Sequence, residues 1–313
     1  METIIPFALL CGYQVRLTGS EKLLSRPLSV YEALKEEKGF RFEADASGVT
    51  VQGPLPGGDI QVDGSISSQF ISGLLFALPL IPAAGAGSRL HIRKPIESKN
   101  YIDMTVSALE SFGVCVQQEE ESTFAVAGGQ TYRSGEFTVE GDYSNAAFFA
   151  AMNALGGDVA ISGLREDSLQ GDKSYQEHLR ALQQGFAEID ISQCPDLGPV
   201  LFMSAAALHG GVFTGTRRLR IKESDRANAM AQELAKCGGS ILVEENRVII
   251  ENTPLHAPVE AIDGHNDHRI VMAMSVLLTC LGGSIQGAEA VRKSNPGFFD
   301  ALSALGVRVQ KED

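Results

Sequence analysis

Residues 218–226, RLRIKESDR, hold the densest charge in the chain. If a helix begins near Glu223, Lys222 and Arg226 stand four apart and project from one side, beside backbone N–H groups that also favour anions. Two cations at a helix N-terminus make an anion site, and Glu223 between them can exchange protons. The plain alternative is a solvated first turn in which Glu223 and Asp225 complement the helix dipole. NDHRI, residues 266–270, sets His268 and Arg269 at the start of an otherwise apolar helix. Cations there oppose the dipole, which suits a chain with an anionic ligand to hold. The alternative is a cap in which Asp267 neutralises Arg269, with His268 a structural histidine. SISSQF, residues 65–70, puts Ser67, Ser68 and Gln69 at the first turn of a buried helix, where hydroxyls and N–H groups can cradle phosphate. Capping alone explains one serine, not two and a glutamine. Loop cations complete the set: Arg26 in LLSRPLS, Lys99 beside Ser98 and Tyr101 in ESKNYID, and Lys293 in VRKSNPGFF. Each by itself reads as a surface charge.

These residues recur at equivalent places in an internal repeat. DGSISSQFISGLLFALPL, GDYSNAAFFAAMNALGG, CPDLGPVLFMSAAALHGG and NDHRIVMAMSVLLTCLGG all start polar and turn apolar nearly all round, which predicts buried helices capped by Asp, Ser or Asn. A second set has one apolar stripe: Ile102, Val106, Leu109, Phe112; Ala227, Met230, Leu234, Cys237; Phe298, Leu302, Leu305. Such helices lie on the outside. They stop at Gly39, Gly113, Gly238 and Gly306, and β-rich segments such as VCVQQ, SILVEENRVIIEN and VRVQ follow. The unit reads βαβαββ. Copies fall at 1–58, 59–136, 137–186, 187–254 and 255–313. The third has no room for its hairpin. The first lacks an opening strand and a polar cap, which predicts missing upstream sequence. Equivalent ends of repeats gather on one face. In a two-lobed arrangement such faces would focus positive potential on a small, multiply anionic substrate.

The rest of the chain narrows the classes. At 313 residues it exceeds what one core usually organises, so two domains are expected, 1–136 and 137–313. A net charge of −13 excludes a surface that coats nucleic acid or anionic membrane. Five scattered cysteines without a CxxC pair suit a reducing cytoplasm and argue against a metal site. Residues 64–88 carry no charge, but Pro79 and Pro82 break an apolar core too short to span a membrane. METIIPFALL lacks a basic stretch and a cleavage site, so it is not read as a signal peptide.

SRP at 25–27, DGSISSQF at 63–70, SKNYID at 98–103, EGDYSNAA at 140–147, PD at 195–196, KESDR at 222–226, NDHR at 266–269 and Lys293 run in one order along the chain. In this it resembles the 5-enolpyruvylshikimate-3-phosphate (EPSP) synthase family of the enolpyruvyl transferases. The resemblance implies transfer of enolpyruvyl from phosphoenolpyruvate to the 5-hydroxyl of shikimate 3-phosphate in aromatic amino acid biosynthesis, with release of phosphate and no metal or organic cofactor. It implies an α/β fold, a two-lobed inside-out barrel of βαβαββ units, incomplete here in the first lobe: 1–136 holds about one and a half repeats and 137–313 the second lobe. By the same likeness Ser67, Ser68, Gln69, Ser98, Tyr101, Asp196 and Lys222 would hold shikimate 3-phosphate. Arg26, Gln69, Arg226, Arg269 and Lys293 would hold phosphoenolpyruvate. Asp196, close to Lys222, is the candidate base and Glu223 the candidate acid, with His268 assisting; the two carboxyl roles can be exchanged.

Two departures stand out. The family's Lys-Ser-x-x-x-Arg segment and a later Thr-x-Arg stretch do not occur, and roughly a quarter of the six-repeat length is absent. Little or no synthase activity is therefore expected of the chain alone, with self-association through exposed edges of the first lobe. Arg218 stands where many relatives have asparagine. Rival readings are a truncated fragment that only binds anions, and the sister enzyme acting on UDP-N-acetylglucosamine. The sister enzyme would carry a reactive loop cysteine, whereas Cys115 reads as core.

Overall fold

A helix that is apolar on every side has to be covered on every side, and that requirement organises the chain. The computed structural model describes residues 1–82 and 87–312; residues 83–86 of the uncharged 64–88 stretch lie outside the described residues. Among the described residues no helix is long and apolar enough to cross a membrane. The chain divides into two units, Met1–Thr138 and Val139–Asp313.

The first unit runs α1 (Ile5–Leu10), β1 (Val15–Leu17), α2 (Glu21–Leu24), α3 (Ser29–Lys38), β2 (Arg41–Asp45), β3 (Gly48–Gln52), β4 (Gly58–Asp63), α4 (Ser68–Ala77), β5 (Ser88–Arg93), α5 (Lys99–Ser111), β6 (Val116–Glu120) and β7 (Thr123–Val126). From β4 to β7 the order is βαβαββ. β4 and β5 are parallel, with Ile60 opposite Leu90, and β7 then β6 add antiparallel to give the sheet β4-β5-β7-β6. The preceding segment forms a smaller sheet, β1-β3-β2. Phe70, Ile71, Leu74 and Leu75 of α4 are buried with Tyr31 of α3, Ile60, Leu90 and Phe124 in one core.

The second unit runs α6 (Tyr143–Ala154), α7 (Tyr175–Gln184), β8 (Ala187–Asp190), α8 (Gly198–Ala207), β9 (Gly211–Thr214), α9 (Arg226–Lys236), β10 (Ser240–Val243), β11 (Arg247–Glu251), β12 (Ile262–Asp263), α10 (His268–Leu281), β13 (Ile285–Gln286) and α11 (Phe298–Ala304). From β8 to β11 the order is again βαβαββ. The sheet β8-β9-β11-β10 repeats the parallel pair and antiparallel hairpin of the first unit. A parallel pair needs a crossover, and α8 supplies it here as α4 does above. β12 and β13 are a second, two-residue parallel pair. α8 and α10 are buried on all faces and pack together with α6, Phe213 and Ile250 in the unit's core.

The glycine stops are real: Gly39, Gly113, Gly238 and Gly306 take φ of 76°, 78°, 88° and 91°, the left-handed region a side chain resists. Four expectations need correcting. α9 begins at Arg226 rather than near Glu223, because the Asp225 carboxylate caps it by accepting the Asn228 N–H at 3.2 Å. Lys222 lies before the helix in extended backbone, so Lys222 and Arg226 are not an i,i+4 pair. α8 has no side-chain cap; Pro199 removes one of the donors a cap would satisfy. Cys115 is exposed, because alternation at the start of β6 turns Val114 and Val116 inward instead. Among the described residues, VRVQ at 307–310 and the segment between β7 and β8 contain no strand, since an extended run without a ladder partner is not a strand.

Candidate functional site

Apart from Arg26, which follows α2 in the antiparallel first segment, the candidate side chains stand beyond the C-terminal ends of the parallel strands β4, β5, β8, β9, β12 and β13, where the crossovers leave room for ligands. In the first unit, the segment after β4 and the segment after β5 meet: Gly64 N–H donates to Arg93 O at 3.0 Å and Glu97 N–H to Gly64 O at 3.2 Å. Ser67 caps α4 by accepting the Gln69 N–H at 3.3 Å. Ser68 is buried and Gln69 exposed. Ser98 is buried in left-handed backbone, φ 55°, just ahead of α5. Tyr101 is exposed, and the Lys99 ammonium pairs with Asp103 one turn on, at 2.7 Å. Arg26 follows α2 and is half-buried. The first unit therefore presents hydroxyls and an amide around two adjoining helix N-termini.

The second unit presents charge. β8 leads through Pro195–Leu197 into α8, and the carboxylate of Asp196 is not spent on capping that helix. Three cations converge on it instead: Arg226 Nη1 at 2.7 Å, Arg269 Nη2 at 3.1 Å and Lys222 Nζ at 3.2 Å. Burial opposes ionisation of Asp196, but the three cations win and hold its carboxyl well below the usual carboxylate range. Arg226, 1% exposed, is the hub. Its Nη2 donates to Glu223 at 2.6 Å and its Nε to Asp267 at 2.9 Å. Burial likewise works against Glu223 and Asp267, and Arg226 outweighs it, so both are held below their ordinary values. Lys222 is lowered, by burial first, with Asp196 opposing and Arg226 and Arg218 adding.

Asp267 does more than the sequence reading allowed. It caps α10 by accepting the Arg269 N–H at 2.9 Å and pairs with the Arg226 side chain, while the Arg269 guanidinium goes to Asp196. Ser224 Oγ donates to the same Asp267 carboxylate at 3.0 Å. His268 is buried beside it, 3.9 Å from Asp267 Oδ1, and burial with the Arg269 charge pushes the imidazole down to about 4, so it is neutral at pH 7. Lys293 Nζ donates to the carbonyl and to Oδ1 of Asn266, the latter at 2.8 Å. The second unit thus joins Asp196, Lys222, Glu223, Arg226, Asp267 and Arg269 in one network and sets His268 beside Asp267, while Lys293 is tied to Asn266, the residue before Asp267. Arg226, expected as a ligand for phosphoenolpyruvate, is committed to three carboxylates. Arg218 is buried in the turn Arg217–Ile221.

Asp172 is a residue the motifs did not mark. It is buried, accepts a hydrogen bond from Ser144 Oγ, and its carboxyl is pushed up to about 6 by burial, with Arg269 opposing. Its only sequence signal is a glycine-aspartate pair ahead of an amphipathic helix. Among the described residues no group of three or more His, Cys, Asp or Glu is placed to hold a metal ion.

The profile of the EPSP synthase (3-phosphoshikimate 1-carboxyvinyltransferase) family matches residues 2–302. A 3-phosphoshikimate 1-carboxyvinyltransferase of Clostridium kluyveri is 38% identical over 334 aligned residues, covering 98% of this chain and 76% of that protein. One from Brachyspira hyodysenteriae is 34% identical, covering 98% and 77%. Among solved structures, an EPSP synthase from Acinetobacter baumannii superposes with a TM-score of 0.75 at 23% identity, over 100% of this chain and 78% of that one; at that identity the likeness speaks for the α/β fold alone. A profile that spans nearly the whole chain and relatives this similar along three quarters of their length lead to one conclusion: the chain belongs to the EPSP synthase family.

Proposed function

We propose that this chain is an enzyme that transfers the enolpyruvyl group of phosphoenolpyruvate to the 5-hydroxyl of shikimate 3-phosphate and releases phosphate. The relatives' shared name supports the reaction. The observation that carries its mechanism is Asp196, a carboxylate kept ionised by Arg226, Arg269 and Lys222. An ionised carboxylate can accept a proton, and the negative charge that the two substrates bring beside the three cations raises its proton affinity from the depressed value of the ligand-free site. Asp196 takes the proton of the 5-hydroxyl as the oxygen bonds C2 of phosphoenolpyruvate, while the methylene carbon receives a proton from Glu223. Phosphate then leaves the tetrahedral intermediate as the new methyl group returns a proton to the Glu223 carboxylate and the double bond re-forms, the departing phosphate taking the proton held by Asp196. Without ligand, Arg226 keeps Glu223 ionised. The carboxylate and phosphate of phosphoenolpyruvate add negative charge beside these cations, which raises the affinity of Glu223 for the proton it must deliver. Neutral His268 assists as a hydrogen-bonding group, and the cations stabilise the departing phosphate.

On the family likeness we assign Asp196 and Lys222 to shikimate 3-phosphate, and Arg269 and Lys293 to phosphoenolpyruvate. Arg226 joins them through the one Nη1 hydrogen not given to a carboxylate. In the first unit Ser67, Ser68, Gln69, Ser98 and Tyr101 are assigned to shikimate 3-phosphate, and Arg26 with Gln69 to phosphoenolpyruvate. Five free thiols support a place in the cytoplasm. Exposed Ile4, Phe7 and Tyr13 support self-association through the first unit. The test is phosphate release with both substrates present. Release that requires both, and that fails with UDP-N-acetylglucosamine in place of shikimate 3-phosphate, is the expected result. Binding of both without release would leave only the anion-binding reading, and absence of binding would end the proposal.

A further inference from the structure

Arg226 and Glu233 lie seven residues apart on α9, so they share a face two turns apart. Both are buried and both reach the same short segment, residues 263–267, which leads into α10. Arg226 holds Asp267 at its end. Glu233, with an exposure of 2%, holds its beginning: Oε1 meets His265 Nε2 at 2.8 Å, and Oε2 accepts the Asp263 N–H at 2.8 Å and pairs with Lys236 at 2.7 Å. Between these two grips the backbone is strained. His265 and Asn266 are consecutive non-glycine residues in left-handed backbone, φ 48° and 49°, a conformation that persists only where the surroundings impose it. From the other side Lys293 holds Asn266, and Gly264 is so close to its neighbours that a Cβ there would stand 2.6 Å from Val271 Cγ2. Asp267, His268 and Arg269 follow directly, so the path of this turn sets where they point.

We propose that Glu233 is a positioning residue for the transfer reaction: by gripping His265 and the Asp263 amide, it holds the left-handed turn that aims His268 and Arg269 at phosphoenolpyruvate. The proposal rests on the function proposed above. Glu233 touches neither substrate in this scheme, and the motifs that carry the family resemblance do not include it.

The full chain is compared as wild type, Glu233→Ala and Glu233→Gln, with thermal melting alongside. A small misplacement of binding groups is enough to slow an enzyme, so the alanine variant should raise KM for phosphoenolpyruvate by about tenfold while KM for shikimate 3-phosphate stays within about twofold. Glutamine can still accept the Asp263 N–H with its amide oxygen and donate its amide N–H to the other tautomer of His265, and should recover most of the loss. A second readout needs no turnover. The His268 ring signal in carbon-correlated proton NMR should move in Glu233→Ala and stay near its wild-type place in Glu233→Gln. His265→Gly, which accepts the left-handed backbone unaided, should return it part of the way in the alanine background. An unmoved His268 signal with unchanged KM values in Glu233→Ala overturns the proposal. Equal losses in both variants, tracking a lowered melting temperature, assign Glu233 to folding and overturn it too. If wild type binds neither substrate the transfer reading fails, and the NMR comparison still decides whether Glu233 sets the turn.

Discussion

The modules β4–β7 and β8–β11 share strand order, crossover helices and hairpin, yet put different chemistry beyond the same strand ends. In the first, Ser67 caps α4 and the neighbouring groups are hydroxyls and an amide. In the second, α8 starts on a Gly-Pro pair with no side-chain cap, and Asp196 collects three cations instead. The comparison teaches that the repeat supplies positions and the residue types supply function.

The comparison breaks most visibly at Asp196. Asp196→Asn keeps the shape but removes the proton acceptor, and the phosphate-release rate should fall on the order of 10²–10⁴-fold. Turnover within a few fold of wild type would remove Asp196 from the mechanism. Next is the hub: Arg226→Met leaves Asp196, Glu223 and Asp267 without their shared partner, and urea denaturation of the second unit should show a loss of about 3–5 kcal/mol. A pH series sharpens the picture. His268 has a folded pKa of about 4 against 6.5 unfolded, so between those values the unfolded chain binds a proton that the folded one refuses. That contribution to stability is complete above pH 6.5 and disappears as pH falls through 4, by roughly 3 kcal/mol. His268→Gln should flatten this part of the stability curve. Asp172, raised to about 6, acts in the opposite sense, so Asp172→Asn should steepen the acid loss. The smallest effect belongs to the first module: Ser67→Ala removes a cap and should cost about 1 kcal/mol by the same denaturation measurement.

Periodicity made the repeat legible. Apolar runs such as residues 70–78 and 270–278 identify buried helices because nothing else can house them, and the glycines that end the outer helices mark left-handed positions. Local competition hid the rest. Both Glu223 and Asp225 suit a helix start, and the choice of Asp225 depends on its fit to the Asn228 amide. Cys115 sits in an apolar strand pattern, VCVQ, that does not say which face turns inward. Glu233 reads as one polar residue beside the stripe Ala227, Met230, Leu234 and Cys237, since Asp263 and His265, the partners that reveal its role, are distant in the chain.

From the amino-acid order alone follow the βαβαββ modules, their buried and outer helices, and the polar groups at their ends, because these depend on spacings of two to four residues. The folded chain alone decides which charges meet: Asp196 with Arg269, 73 positions away, and Arg226 with Asp267, 41 away. Ion pairing acts through a few ångströms of space, and only the packing of α8, α9 and α10 brings those distances about.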